Sequence, residues 1–346
     1  MSARCLPCTL LLLAAAATSP LRGATYNVQE VGWAGNTVYA RDINDRGQVV
    51  GVAYHIGGGA RHAFLWQNGQ AQDLGTLPSA ASSEAWALNN SAQVVGQSGG
   101  RAFLWDKGTM SDLGMLPPDF NSTARGINST GQVAGTSYID GQYDRAFLWE
   151  NGTMSDLGGL GGTSTRANAI NDLGHVVGTS ALSPSSQVRH AFLWEEGVMR
   201  DLGSLGDWAE AWDINNNGQA VGHSWGGTTQ TQVAFIWENG VMRSLGTGWA
   251  YGISDAGDAV GVTWPGGASR AVMWRAGQTI DLTSLLPANS GWTLYGARAI
   301  NKVGQIIGAG SYNGRDAAFL MTPIPEPSAL VGLCVALAGL AVFRRR

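Results

Sequence analysis

From residue 26 to residue 321 the chain repeats one rhythm: apolar runs of four or five residues, separated by turns rich in asparagine and glycine. Residues 145–158 read RAFLWENGTMSDLG, and residues 190–203 read HAFLWEEGVMRDLG. The Ala-Phe-Leu-Trp phrase stands at Ala63–Trp66, Ala102–Trp105, Ala146–Trp149 and Ala191–Trp194, with variants at Ala234–Trp237, Ala271–Trp274 and Ala318–Met321. A second phrase, such as ANAINDLGHVVG, precedes each copy. It places an apolar anchor at Ile43, Leu88, Ile127, Ile170, Ile214, Ile253 and Ile300. Seven copies with a period of 39 to 47 residues fall in the range of propellers and other repeat arrays. Nowhere in this body does helical apolar spacing persist over ten residues.

Each unit reads as four short strands. Ala-x-x-Ile-Asn is the first, and a turn ending in glycine leads to the second, Gln-Val-Val-Gly. Asparagine can bond its own backbone in that turn, and glycine can take positive φ. Ala-Phe-Leu-Trp is the third. Asn68-Gly69, Asn151-Gly152 and Asn239-Gly240 are hairpin signals into the fourth, which ends in Asp-Leu-Gly. Phe192 and Trp194 point one way from the third strand, Ala191 and Leu193 the other, so both faces of the sheet need cover. Neighbouring blades of a propeller supply it. The last unit stops after its third strand, whereas Tyr26–Gly32 matches a fourth strand at the start of the chain. The expectation is an all-β, seven-bladed β-propeller over residues 25–321 with four-stranded blades, its ring closed by the N-terminal strand.

Composition narrows the function classes. The 50 glycines and 14 tryptophans suit such a fold, and an apolar fraction of 44% opposes disorder. Setting aside Arg4, Arg22, Arg344, Arg345 and Arg346 takes the net charge from −4 to −9, a poor match for nucleic acid. Cys5, Cys8 and Cys334 all lie in the terminal apolar segments, so the body can hold no disulfide, cysteine metal site or cysteine nucleophile.

The two ends read as addresses. Residues 1–24 carry an early arginine, an apolar run near Leu10–Ala17 and small residues after it, the pattern of a secretory signal peptide. At the other end Ser328–Phe343 is uncharged and followed by three arginines. As a helix it would span roughly 24 Å, short of a bilayer core of roughly 30 Å but within reach of snorkelling arginines. A C-terminal transmembrane helix is therefore expected, with the body on the far side of the membrane from Arg344–Arg346.

Pro325-Glu326-Pro327, the hydrophobic span and the basic tail together resemble a PEP-CTERM sorting signal over residues 322–346. The resemblance implies recognition and cleavage near Pro-Glu-Pro by an exosortase-type membrane protease, in a Gram-negative bacterium that makes exopolysaccharide. The repeat unit resembles the HAF repeat family, with His62-Ala63-Phe64 and His190-Ala191-Phe192 matching its name. Arg101, Arg145, Val233, Arg270 and Ala317 replace the histidine elsewhere. That resemblance implies an extracellular protein and transfers no catalytic residue.

Candidate chemistry is sparse. Gly96-Gln97-Ser98-Gly99-Gly100 fits a serine-hydrolase elbow, but it ends a repeated strand rather than opening a helix. Asp213-Ile214-Asn215-Asn216-Asn217-Gly218 fits half of a calcium loop, with Ser224 where the bidentate glutamate belongs. The five histidines show no metal-ligand pairing, so neither a metal nor another cofactor is expected. The informative position varies while its surroundings do not. Two residues before each apolar anchor stand Arg41, Trp86, Arg125, Asn168, Trp212, Tyr251 and Arg298. If the first strand is innermost, these line one mouth of the central channel, where arginine forks and aromatic faces suit an exopolysaccharide or surface glycan. Packing between blades is the competing explanation. The expected role is a non-catalytic protein of the cell surface or biofilm matrix. The alternative is a carbohydrate-active enzyme using Glu84 and Glu210 as acid and base across the channel.

Overall fold

The computed structural model describes residues 26–34, 36–55, 59–139, 143–184, 188–226 and 231–325. The signal-like segment, the hydrophobic span 328–343, Glu326, Pro327 and Arg344–Arg346 lie outside them. Among the described residues no helix is long and apolar enough to cross a membrane.

The fold is all-β, a succession of antiparallel meanders in which each strand pairs with the next. β1 (Tyr26–Val31) is followed by β2 (Asn36–Ile43), β3 (Val49–His55), β4 (Arg61–Gln67) and β5 (Gln70–Asp73). Then come β6 (Ser83–Leu88), β7 (Val94–Ser98), β8 (Arg101–Asp106) and β9 (Thr109–Gly114), and β10 (Asn121–Ile127), β11 (Val133–Ile139), β12 (Tyr143–Glu150) and β13 (Thr153–Asp156). β14 (Thr165–Ile170), β15 (Val176–Ala181), β16 (Arg189–Glu195) and β17 (Val198–Gly203) lead to β18 (Trp208–Ile214), β19 (Ala220–Gly226), β20 (Thr231–Glu238) and β21 (Val241–Thr247). β22 (Trp249–Ile253), β23 (Ala259–Thr263), β24 (Arg270–Arg275) and β25 (Gln278–Asp281) precede β26 (Trp292–Ile300), β27 (Ile306–Tyr312) and β28 (Arg315–Pro323). Five of the sheets have four strands. The meanders β14–β17 and β18–β21 join into an eight-stranded sheet through one parallel pair, Arg189 with Trp208.

The last meander has only three strands of its own. β1 completes it as the outermost strand, antiparallel to β28, with Val28 opposite Met321 and Glu30 opposite Phe319. Arg315 donates to both Glu30 carboxylate oxygens across this seam, at 2.9 and 2.7 Å. β28 extends to Pro323, two residues beyond the repeat boundary read from the sequence.

Local chemistry explains the repeated phrase. In the Asn68-Gly69 hairpin both residues have positive φ, 51° and 82°, as a type I′ turn requires. The histidine or arginine before Ala-Phe pairs across the hairpin with the aspartate of Asp-Leu-Gly: His62 with Asp73 at 2.8 Å, Arg101 with Asp112 at 2.8 Å, His190 with Asp201 at 2.9 Å. Where that position is Val233, the partner position is Ser244, so the pair is lost on both sides. Gly96 in β7 lies against the Glu84 carbonyl of β6 and the Phe103 ring of β8, where a Cβ would collide with both. Phe64, Phe103, Phe147, Phe192, Phe235 and Phe319 occupy this same covering position and are fully buried.

The asparagine ending each first strand does two jobs. Asn44 Oδ1 accepts from Arg46 N and Gln48 N, closing the turn, while its Nδ2 donates to Asn89 O of the next meander at 3.0 Å. The same link runs from Asn89 to Asn128 O, Asn128 to Asn171 O, Asn171 to Asn215 O, and Asn215 to Ser254 O. Asn301 then donates to Asn44 O at 2.9 Å, joining the last meander to the first. The one meander without the asparagine has Ser254, whose short side chain makes no forward link.

Two outcomes follow for unfolding experiments. Deleting Tyr26–Gly32 exposes the edge of β28 and opens the ring, and cooperative thermal unfolding is expected to collapse; an unchanged melting curve would refute closure. Ser254→Asn is expected to add the missing link and about 1 kcal/mol of stability, seen as a higher urea midpoint at unchanged slope.

Candidate functional site

All seven variable positions meet. Arg41, Trp86, Arg125, Asn168, Trp212, Tyr251 and Arg298 line one cavity of about 690 Å³, open mouth included, walled solely by β2, β6, β10, β14, β18, β22 and β26. The first strand of every meander is therefore innermost, as its sequence suggested.

What aims these side chains inward is a β-bulge. Ala40 pairs with Gly51 and Asp42 with Val50, leaving Arg41 unpaired. The register breaks in the same way at Trp86, Arg125, Asn168, Trp212, Tyr251 and Arg298. A bulged residue leaves the ladder and is re-aimed by the local bend. The position is thus free of the ladder pairing that constrains its neighbours.

The side chains in this layer stack. The guanidiniums of Arg41 and Arg125 lie over the Trp86 ring, each 4.2 Å from its centroid. Arg298 lies 4.4 Å from the Tyr251 centroid and 5.5 Å from that of Trp212. Such contacts hold a cation without neutralising it. Burial lowers the pKa of all three arginines; Arg298 falls to about 10, with repulsion from Arg41 and then Arg125 adding to burial. They remain charged at neutral pH. Asn168 donates to Glu210 Oε1 and to Ala211 O, both at 2.9 Å, and so braces adjacent meanders. Packing and lining are therefore joint roles at this layer.

Below the arginines lie Asp42 and Asp213, which also line the cavity. Each bridges two meanders through backbone N–H donors: Asp42 accepts from Ile43 N and Leu88 N, Asp213 from Ile214 N and Ile253 N. Burial pushes Asp42 up to about 6 and Asp213 up to about 7, with the Asp42 charge contributing at Asp213. These two carboxylates escaped the sequence reading as a pair. The signal was present: the residues after the variable position read Asp42, Ala87, Gly126, Ala169, Asp213, Gly252 and Ala299. The asparagine belt and a rim that includes Asp45, Asp172 and Lys302 form the opposite opening.

A second cavity adjoins the arginine layer and shares Arg41, Tyr251 and Arg298 with it. Tyr39, Trp249, Trp264 and Tyr295 form its aromatic walls. Trp249 packs edge-on against Trp264 at 5.4 Å and lies 4.8 Å from His223. His223 Nδ1 accepts from Trp212 Nε1 at 2.9 Å, and burial lowers its pKa to about 4, so it is a neutral spacer between aromatic rings. Of the remaining tryptophans, Trp292 is buried against Tyr312 and Phe319, whereas Trp225 is exposed.

Other candidates resolve as structural. Neither Glu84 nor Glu210 lines the channel cavity, which corrects the placement the enzyme alternative required. Glu84 is ion-paired with Arg61 at 2.8 Å, and Glu210 is held by Asn168. Ser98 Oγ is buried, accepting from Leu77 N and donating to Ser82 O. Asn215 and Asp213 spend their oxygens on backbone N–H groups. Among the described residues no cluster of His, Cys, Asp and Glu could hold a metal ion.

Comparison with known proteins supplies fold and no family. No family model and no curated protein matches the chain. An oligogalacturonate lyase solved in complex with manganese is similar at 12% identity, over 86% of this chain and 93% of its own, with a TM-score of 0.60. TolB from Acinetobacter baumannii is similar at 12% identity over 80% of this chain, which spans 63% of TolB, with a TM-score of 0.49. The β-propeller domain of the Trilobed protease from Pyrococcus furiosus is similar at 9% identity, over 82% and 93%, with a TM-score of 0.49. The lyase likeness extends over most of both chains and concerns the fold alone; the propeller arrangement rests on the sheet order and on the joining of the last meander to the first. At such identity the likeness says nothing of activity.

The His223 environment sets a pH dependence. The folded pKa, about 4, lies below the ordinary 6.5, so the unfolded chain takes up the proton first as pH falls. Stability from this group is complete above pH 6.5 and is lost towards pH 4, by roughly 3 kcal/mol at most. His223→Phe is expected to be less stable than wild type at pH 8, with the gap narrowing or reversing at pH 4.5. A gap in melting temperature that stays constant across that range would contradict the assignment.

Proposed function

We propose that the chain is an exported, non-catalytic, seven-bladed β-propeller that binds a glycan at the mouth of its channel. Counting each half of the eight-stranded sheet as a blade gives seven four-stranded units, one per repeat. The observation that carries the binding reading is the convergence of the seven variable positions into one cavity. The repeat diversifies at that position with residues whose faces and forks suit sugars.

The cellular role rests on the two ends. The signal-like residues 1–24 direct export, and residues 328–343 hold the protein at the membrane until an exosortase-type protease cuts near Pro325-Glu326-Pro327. The body then serves at the cell surface or in the exopolysaccharide matrix of a Gram-negative bacterium. The second reading is a carbohydrate-active enzyme on the same ring, the class to which the similarly folded oligogalacturonate lyase belongs.

A glycan-array screen with Trp86→Ala and Trp212→Ala controls separates the readings. Binding without turnover, weakened about tenfold or more by either substitution, is the expected result. Release of shortened products would favour the enzyme, and no retained glycan at all would remove both.

A further inference from the structure

We infer that the channel mouth recognises an acidic saccharide end-on, with the carboxylate of its terminal residue among Arg41, Arg125 and Arg298 and its ring against the adjoining aromatic groove. This rests on the glycan reading above and adds the charge and the orientation of the ligand.

Three observations carry it. The first is a charge without a direct ion pair, since Glu84 acts on Arg41, and Glu210 on Arg125 and Arg298, only at longer range. Among the described residues no carboxylate lies within ion-pairing distance of Arg41, Arg125 or Arg298. The neighbouring Glu84 and Glu210 are held by Arg61 and Asn168. The deeper Asp42 and Asp213 are committed to backbone N–H groups. Three cations held in a half-buried layer by aromatic faces cost free energy until an anion joins them.

The second observation is a pair of orphan donors. Arg41 Nε and Trp249 Nε1 are buried and have no hydrogen-bond partner. Both residues wall the aromatic groove. Buried donors normally have partners, and both orphans call for acceptor oxygens, which a carboxylate and ring hydroxyls supply. The groove is otherwise apolar and aromatic, as the face of a pyranose requires.

The third is the shape of the passage. Below the arginines the carboxylates of Asp42 and Asp213 line the same channel, and the asparagine belt follows. A polyanion threaded through would have to pass two carboxyl groups whose oxygens are already taken by backbone N–H donors and which offer it no cation. A single acidic terminus stops at the arginines, and the rest of the ligand leaves sideways over the groove. Arg41, Tyr251 and Arg298 belong to both cavities and make the corner.

The test uses the purified protein and three probes: a linear hexuronate trimer, the same trimer as its methyl ester, and inorganic sulfate. Tryptophan fluorescence reports binding, because Trp86, Trp212 and Trp249 stand at the site. The acidic trimer is expected to bind at least tenfold more tightly than the ester or sulfate. Arg125→Met and Arg298→Met are each expected to weaken it at least tenfold; the wild-type comparison of acid with ester stands even if a variant fails to fold. Equal binding of acid and ester would overturn the charge assignment while leaving glycan binding intact. Sulfate matching the trimer would overturn the saccharide assignment. No binding of the trimer, with neutral glycans retained on the array, would overturn the inference alone.

Discussion

The pairing of β1 with β28 is the contact on which the rest depends. A repeat unit that is apolar on both faces of its third strand cannot stand at the end of an open stack. Joining the first strand to the last gives the terminal meander its fourth strand and leaves every sheet with a neighbour on each side. Only a closed ring brings seven innermost strands to one axis. The arginine layer, the carboxylate layer and the asparagine belt exist as layers because of that closure.

Within the ring, monotony and variation have separate physical causes. The second-strand glycine is required because the first strand's carbonyl and the third strand's phenylalanine leave no room for a Cβ. The asparagine is required because its oxygen closes a turn while its amide reaches the next meander. The residue between them in space is released from ladder pairing by a bulge. It is therefore where a ligand preference can be written without disturbing the fold.

Much of this was legible in the sequence. The strand order, the hairpins and the closing strand follow from the repeated phrase and from the surplus Tyr26–Gly32. The seven inward positions were found because they vary against a constant background. Three features were not legible. The bulge leaves no mark on residue type, so sequence alone could not say why position 41 or 125 should turn inward. The interlocking of Arg41, Trp86 and Arg125 depends on adjacency around the axis, across repeats rather than within one. The surroundings of Glu84 and Glu210 were not legible because equal repeat positions do not fix equal partners. In the structure one meets Arg61 and the other is enclosed beside Asn168. The terminal sorting features lie outside the described residues and stay with the sequence reading.

Ser254 gives the belt a consequence of its own. Its missing link falls between the meander that carries Trp249 and Trp264 and the meander that carries Tyr295 and Arg298. The aromatic groove opens across that same joint. The belt is thus interrupted at one seam, where the ligand would lie, and that joint is held by side-chain packing and the Tyr26–Arg275 hydrogen bond in place of an amide stitch.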